Sequence, residues 1–421
     1  MAAISRRQFT QSLELGVSAL TFPNIAFGAK PKVLVIGGGA GGATAARHIS
    51  KKSNGAIDVT LVEASRRHYT CFYSNLYLGG FRSYSSIGHN YHGLAKKNDV
   101  NIIHEWATSI DPSRRLIRLA SGVSAPYDRL ILSPGIDFKY DSVPGYSSGI
   151  ASRMPHAWKS GMQTQLLKSQ VLNMEKGGVF VMVPPTAPYR CPPAPYERVS
   201  MIAHLLKHHN PTAKIIILDP KPKFSKQGLF MDGWENYYSG MIEWIDPEAH
   251  GGIKSINPSK MEFVTDLDTF TADAACVIPA QKAGSIAMVA NINDGDWCPV
   301  NPHTMASKAD PNIYVLGDAS AAGPMPKSGS SANSQAKVAA NAICHELAER
   351  TIVPARYTNA CWSLIATNDS IKNSAVYQAG LDGIKVVTKF ISNKEDSAEV
   401  RESTYKESID WYNQITADMF S

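Results

Sequence analysis

Val33-Leu34-Val35-Ile36-Gly37-Gly38-Gly39-Ala40-Gly41-Gly42 is the stretch on which the reading of the chain turns. Four apolar residues, 33–36, read as a buried parallel strand. Gly37, Gly39 and Gly42 supply G-x-G-x-x-G, and the alanine-rich ATAARHISKK that follows reads as a helix with a basic end. Strand, glycine turn and helix in that order cradle a dinucleotide pyrophosphate on the N–H groups and positive dipole end of the helix. Gly37 permits the tight turn, Gly39 lets the backbone approach the phosphates, and Gly42 lets helix and strand pack closely. A second strand over 57–62 runs into Glu63, about 20 residues past the last glycine, where a carboxylate holds ribose hydroxyls.

Ahead of this stretch, Ser5-Arg6-Arg7-Gln8-Phe9 has twin-arginine form. A mildly apolar run leads from it to Ala26-Phe27-Gly28, a small-x-small cleavage pattern. The expectation is a Tat signal over 1–28 and a periplasmic protein exported already folded. Glu14 inside the apolar run departs from that pattern and leaves an ordinary amphipathic helix as the alternative. A length of 421 residues suffices for two or three domains. With 44% hydrophobic and 19% charged residues the composition is globular, which excludes a disordered chain. No later run of 18 apolar residues occurs, so no integral membrane segment is expected. The net charge of +6 is spread along the chain and includes the leader arginines, so no nucleic-acid patch is read. Six cysteines in an exported protein allow a disulfide.

Further along, Tyr69-Thr70-Cys71-Phe72-Tyr73 holds a lone cysteine, by composition a buried small hydrophobe or a side chain reserved for chemistry. Short strands over 100–103, 107–111 and 116–119 read as a β-meander. The run 127–135, YDRLILSPG, returns the chain to the first sheet. A second α/β unit follows, with a strand over 178–184, a helix over 196–209 and a strand over 214–219. Its first strand meets no glycine turn but Pro184-Pro185-Thr186-Ala187-Pro188-Tyr189-Arg190-Cys191-Pro192-Pro193. Prolines lack the N–H donors that hold a pyrophosphate, so NAD(P)H is not expected as electron donor. Strands are expected over 241–245, 261–264 and 274–278, the last burying Cys276. Cys298 is ambiguous, and Cys344 reads as buried on a helix over 331–350. Asn312-Ile313-Tyr314-Val315-Leu316-Gly317-Asp318 is a strand ending in Gly-Asp. The end of the chain shows strands around 361–365, 375–378 and 384–387 and a polar helix over 402–419. On that helix Trp411 and Tyr412 read as packing residues rather than electron relays.

With these pieces in place the chain resembles the flavin subunit of flavocytochrome c sulfide dehydrogenase, of the glutathione-reductase-type flavoproteins. The resemblance rests on VLVIGGGAGGATAARHI, YTCFYSN, PYRCPPAPYERVSM, NIYVLGDAS, PKSGSSANSQAKVAAN and ACWSLI. It implies an α/β fold of two Rossmann-like dinucleotide-binding-type domains, an FAD domain and a degenerate NAD-like domain, plus a small α+β C-terminal domain. The expected bounds are 29–150 with 280–350 for FAD, 151–279 for the second unit and 351–421 for a C-terminal interface domain. Residue by residue, it implies that Cys71 carries FAD through an 8α-thioether. Cys191 and Cys361 match a redox-active disulfide; Gly37, Gly39, Gly42 and Glu63 match the ADP site, and Asp318 the ribityl site. The implied activity is oxidation of hydrogen sulfide with electrons passed to a c-type cytochrome subunit. This chain has no C-x-x-C-H, so haem c belongs to that partner. No metal site is expected. Two alternatives stand beside this reading. A sulfide:quinone oxidoreductase would need an apolar C-terminal surface, which SIDWYNQITADMFS does not offer. An accessory flavoprotein that reactivates a thiosulfate-oxidising system would keep the motifs and change the role.

Overall fold

Every residue of a central parallel strand faces a covering layer, so such a strand reads as an unbroken apolar run. This is the pattern of β1 (Lys32–Ile36), whose last four residues are buried. The computed structural model describes residues 29–421; the twin-arginine segment and its cleavage site lie outside them. The glycine turn delivers the chain from β1 into α1 (Gly42–Ser53), and β2 (Asp58–Val62), β3 (Asn101–Ile103) and β4 (Arg129–Leu132) follow. A second unit starts with β5 (Val179–Val183) and continues through α2 (Ala194–His209), β6 (Lys214–Leu218), α3 (Gln227–Tyr238), β7 (Ile242–Ile245) and β8 (Ala274–Val277). Its sheet is wholly parallel, in the order β7-β6-β5-β8. The chain then returns to the first sheet. β9 (Ile313–Val315) pairs with β4 and completes a five-stranded parallel sheet in the order β9-β4-β1-β2-β3. α4 (Gly329–Leu347) packs on α1 through a fully buried stripe of Ala336, Ala339, Ala340 and Ile343. Small side chains on this stripe let the two helices approach closely.

The C-terminal part is an antiparallel sheet of β10 (Arg356–Ala366), β11 (Asp369–Gly380) and β12 (Gly383–Ile391), followed by α5 (Ala398–Phe420). The fold class is therefore the expected one: two Rossmann-like units and a small α+β unit. Two local expectations are corrected. The run 100–103 is not part of the meander, since β3 pairs in parallel with β2. The meander is built from Ala107–Asp111, Leu116–Leu119 and Ser124–Pro126. An apolar pair such as Ile102-Ile103 is too short to carry a period, so its partner is set by tertiary packing. The C-terminal strands are also longer, at 11, 12 and 9 residues. β12 is exposed along most of its length, whereas β10 is largely buried and takes buried polar residues such as Asn359 and Ser363 into its run.

The far end of α5 is tied down by charge. The Asp418 carboxylate accepts from His48 Nε2 at 2.8 Å, Lys337 Nζ at 2.8 Å, Asn333 Nδ2 at 2.9 Å and Arg47 Nη1 at 3.1 Å. Arg47 Nε and Asn98 Nδ2 donate to the carbonyl of Ser421, at 2.8 and 2.9 Å. Burial alone would raise the Asp418 carboxyl, but the bond and charge of His48 and the charge of Lys337 outweigh it and hold it well below the carboxylate range. A carboxyl lowered in the folded state stabilises the fold above its unfolded pKa of about 3.9 and loses that contribution as pH falls further. Asp418→Asn is expected to cost about 3 kcal/mol at neutral pH, the scale of removing one partner from a buried ion pair. Urea unfolding of both proteins across pH checks this, and the difference should narrow below about pH 4.

Candidate active site

The glycine turn is sterically specified. Gly37 lies at φ +98°, and a Cβ there would overlap the carbonyl of Ser133. A Cβ on Gly42 would overlap the carbonyl of Gly37, so helix and turn touch at backbone distance. At Gly39 a Cβ would meet only His68, at 3.6 Å, which leaves the space in front of the turn open to a ligand. Glu63 reaches back to the turn: its Oε2 accepts from the N–H of Gly38 at 2.8 Å and its Oε1 from that of Ser65 at 2.9 Å. The Tyr91 hydroxyl donates to the Gly38 carbonyl at 3.2 Å, and a Cβ on Gly38 would strike its ring. Half-buried His68 beside the turn is pushed down to about 4 by desolvation, then by His89 and Arg190, and is neutral at physiological pH.

Asp318 follows β9 in a short turn, with Gly317 at φ +71°. Arg190 Nη1 stands 3.9 Å from its Oδ2, and Lys327 Nζ donates to its carbonyl at 2.8 Å. Its Oδ1 is buried with no hydrogen-bond partner among the described residues. Burial raises its carboxyl, against the lowering charges of Arg190 and Lys327. An orphaned buried acceptor costs about 1–3 kcal/mol, and a hydroxyl-bearing ligand relieves it. Together with the open space at Gly39, this is a fit to FAD.

One cavity brings three distant segments together. Cys71, Cys191 and Cys361 all line it, with Phe72, Trp158, Trp362 and Trp411. Each cysteine is held by local structure. Cys71 precedes a short helix, Ser74–Leu78, whose N-cap Tyr73 is at φ +75°. Cys191 lies near the end of the proline-rich loop at φ +54° and its N–H donates to the Lys327 carbonyl at 2.7 Å. The N–H of Arg190 is likewise taken, by Gln281 Oε1 at 2.9 Å. That loop spans ten residues, 184–193, between β5 and α2, against five, 37–41, in the first unit. Left-handed backbone costs an L-residue about 1–2 kcal/mol, which the surrounding packing must offset at Tyr73 and Cys191.

Cys191 and Cys361 are free thiols that line the same cavity. The neighbouring Cys191 lowers the Cys361 thiol to about 7 against its burial, with the charge of Lys226 helping. Cys361, with burial, pushes Cys191 up. Cys361 Sγ is 3.7 Å from Asn359 Nδ2, whose Oδ1 accepts from Ser328 Oγ at 2.6 Å at the start of α4. Glu197, a half-buried carboxyl on α2, accepts from Asn75 Nδ2 at 2.8 Å and the N–H of Leu364 at 2.9 Å. Burial raises it. Arg198 is fully buried beside it and bonds Asn75 Oδ1 at 3.0 Å and the carbonyls of His156 and Ala157.

The cavity thus joins Cys71, Cys191 and Cys361, while the glycine turn, Glu63 and Asp318 form neighbouring ground. Glu197, Lys226 and Asn359 were not singled out from the sequence. Glu197 stands inside PYERVSM, six residues past Cys191, and that proximity was the available signal. Lys226 gave none, since KPKFSKQG reads as a solvated loop. Cys276, Cys298 and Cys344 are buried away from the cavity. Trp411 packs 5.4 Å from Phe72 and 5.1 Å from Trp362, and Tyr412 stacks on Tyr73 at 4.1 Å.

Comparison with known proteins adds the family. Residues 31–172 match the pyridine nucleotide-disulphide oxidoreductase model. Residues 164–279 match the model "Sulfide dehydrogenase (flavocytochrome c) flavoprotein chain, central", and 353–420 match "Flavocytochrome c sulphide dehydrogenase, flavin-binding". Two curated relatives are mitochondrial sulfide:quinone oxidoreductases. That of Dictyostelium discoideum is 23% identical over 329 residues, 75% of this chain and 71% of that protein. That of Mus musculus is 24% identical over 303 residues, 68% of this chain and 65% of that protein. Among solved structures, the sulfide:quinone oxidoreductase of Aquifex aeolicus superposes with a TM-score of 0.69 at 16% identity, over 93% of this chain and 92% of that one. An NAD-dependent persulfide reductase from A. fulgidus gives 0.64 at 16% identity, over 90% and 76%. Likenesses of 16% identity establish the fold alone. The two models specific to one family flank the cavity in sequence, one reaching α2 and the other β10 and α5, and on that ground the chain belongs to the family of flavocytochrome c sulfide dehydrogenase flavoprotein chains, FAD-binding oxidoreductases of pyridine nucleotide-disulphide oxidoreductase fold.

Proposed function

We propose that this chain oxidises hydrogen sulfide through a Cys191–Cys361 disulfide, carries FAD on Cys71 as an 8α-thioether, and passes electrons to a c-type cytochrome subunit. The proposal includes export of the folded protein to the periplasm by the twin-arginine route. One observation carries the reading: Cys71, Cys191 and Cys361, from three remote segments, line one cavity. FAD, when bound, supplies acceptance of an electron pair and its release one electron at a time. Gly37, Gly39, Gly42 and Glu63 would hold its ADP part and Asp318 its ribityl chain. Arg190 and Arg198 line the same cavity and draw hydrosulfide towards the sulfurs. Hydrosulfide attacks one sulfur of the disulfide, the S–S bond breaks, and one cysteine becomes a persulfide while the other leaves as thiolate. Asn359 and the start of α4 stand beside Cys361 to receive that negative charge.

A second reading, transfer to a quinone, is favoured by one feature besides the curated relatives. The polar ending of the chain was expected to offer little apolar surface, yet β12 presents Val386, Val387, Phe390 and Ile391, each about half exposed. Among the described residues no helix is long and apolar enough to cross a membrane. Sulfide-driven turnover with ferricytochrome c against a soluble quinone analogue, without oxygen, separates the two. The cytochrome is expected to be the better acceptor by more than an order of magnitude in kcat/KM. The reverse preference overturns the cytochrome assignment.

A further inference from the structure

Lys226 is the unexpected residue of the site. It caps the start of α3 at φ +62°, a conformation natural to glycine and unfavourable for lysine. Instead of reaching into solvent from its loop, the side chain turns inward, and the residue is 8% exposed. Its Nζ donates to the backbone carbonyl of Cys361 at 3.3 Å and to Ser363 Oγ at 3.1 Å. An ammonium at that depth is costly unless a nearby anion compensates it. The titratable and charged groups facing it are Glu197 from α2, Cys191 from the proline-rich loop, Cys361 from β10 and Arg401 from α5. Arg401 is already paired with Asp369 at 2.6 Å, and Glu197 already accepts from Asn75 and Leu364. Desolvation lowers the ammonium to about 8, opposed by Cys361 and Glu197, so it is charged at neutral pH.

We propose that Lys226 is a positioning residue that makes Cys361 the leaving thiolate, and therefore Cys191 the sulfur acceptor, when hydrosulfide opens the Cys191–Cys361 disulfide. The proposal rests on the disulfide reading above and gives it a direction. The sulfur of HS⁻ forms a bond to Cys191 Sγ, the Sγ–Sγ bond breaks, and its electron pair leaves on Cys361 Sγ. Cys191 becomes Cys–S–SH, keeping the hydrogen of the hydrosulfide, and the single negative charge that entered now rests on Cys361. Thiol–disulfide exchange favours departure of the sulfur whose thiol is more acidic. Around Cys361 stand the Lys226 ammonium, Asn359 Nδ2 and the capped start of α4. Cys191 shares the cavity lining with Glu197, and a carboxylate there disfavours a second anion on Cys191. The two sulfurs are therefore electrostatically unequal although they line one cavity.

The test uses the FAD-loaded protein with wild type, Lys226→Met and Lys226→Arg. In the reduced proteins, alkylation by iodoacetamide across pH, read by peptide mass spectrometry, gives a profile for each cysteine. Wild-type Cys361 is expected to react at lower pH than Cys191. Lys226→Met is expected to shift the Cys361 profile up by about one unit or more, a tenfold loss of thiolate below it. Lys226→Arg should restore it. An unmoved profile in folded Lys226→Met, or Cys191 reacting first in wild type, overturns the proposal. Should Lys226→Met not fold, wild type alone still decides. One equivalent of hydrosulfide added anaerobically to the oxidised protein is expected to add one sulfur to the Cys191 peptide. Sulfur on the Cys361 peptide overturns the direction and leaves the disulfide reading standing. Two alkylatable thiols before any sulfide is added remove the disulfide reading, and this proposal with it.

Discussion

Cys361→Ser is expected to abolish hydrosulfide-dependent bleaching of the flavin while leaving FAD attached. Without a second sulfur there is no S–S bond for hydrosulfide to open, and a serine hydroxyl does not replace it as leaving group. The expected loss in turnover is about 10⁴-fold or more, the scale on which members of one concerted set fail. The fold should be spared. Serine keeps the size of the side chain and the contact with Asn359, and the proposed flavin attachment belongs to Cys71, on a different segment. Cys191→Ser should behave alike, because the two act as one unit. Stopped-flow absorbance of the flavin after mixing with sulfide without oxygen measures this. Retained turnover in Cys361→Ser means that sulfide reaches the flavin by a route that does not use the cysteine pair.

Cys71→Ala is expected to turn a covalent flavoprotein into one that gives up its FAD on acid precipitation. Wild-type chain, denatured and washed, should carry the mass of one FAD and its fluorescence; the variant should carry neither. Under native conditions the variant should still bind FAD. The glycine turn with its open face at Gly39 and the orphaned Oδ1 of Asp318 are untouched by the change. A thioether matters most where lost cofactor is not replaced, which is the situation of an exported protein. Free FAD in the supernatant of wild-type protein would contradict covalency and strengthen the quinone reading.

The parts of this site that were legible in the sequence are those built by local chemistry. Gly42 announces a close approach of helix and turn, and the structure shows it against the carbonyl of Gly37, five residues back. Gly37 announces a turn, but that its missing Cβ makes room for the carbonyl of remote Ser133 was not readable. The proline-rich loop announces the absence of a phosphate cradle in the same local way. The pairing of Cys191 with Cys361 came from resemblance, because their spacing along the chain carries no geometric information. Lys226 was hidden for a physical reason. Its left-handed backbone and inward side chain are set by the packing of α3 against β10, which a polar loop sequence does not reveal. Glu197 was hidden too, as one acidic residue in the first turn of a helix, where acids are common for their effect on the dipole. The edge strand β3 was misplaced because a three-residue element has no period to read.

The central claim is that Cys191 and Cys361 form the disulfide that sulfide opens. Peptide mapping of the oxidised, unreduced protein, before and after one equivalent of hydrosulfide without oxygen, tests it most directly. The account expects a Cys191–Cys361 cross-linked peptide that disappears as the flavin bleaches, with one cysteine then carrying an added sulfur. Two freely alkylated cysteines in the oxidised protein, with the flavin still bleached by sulfide, would contradict it.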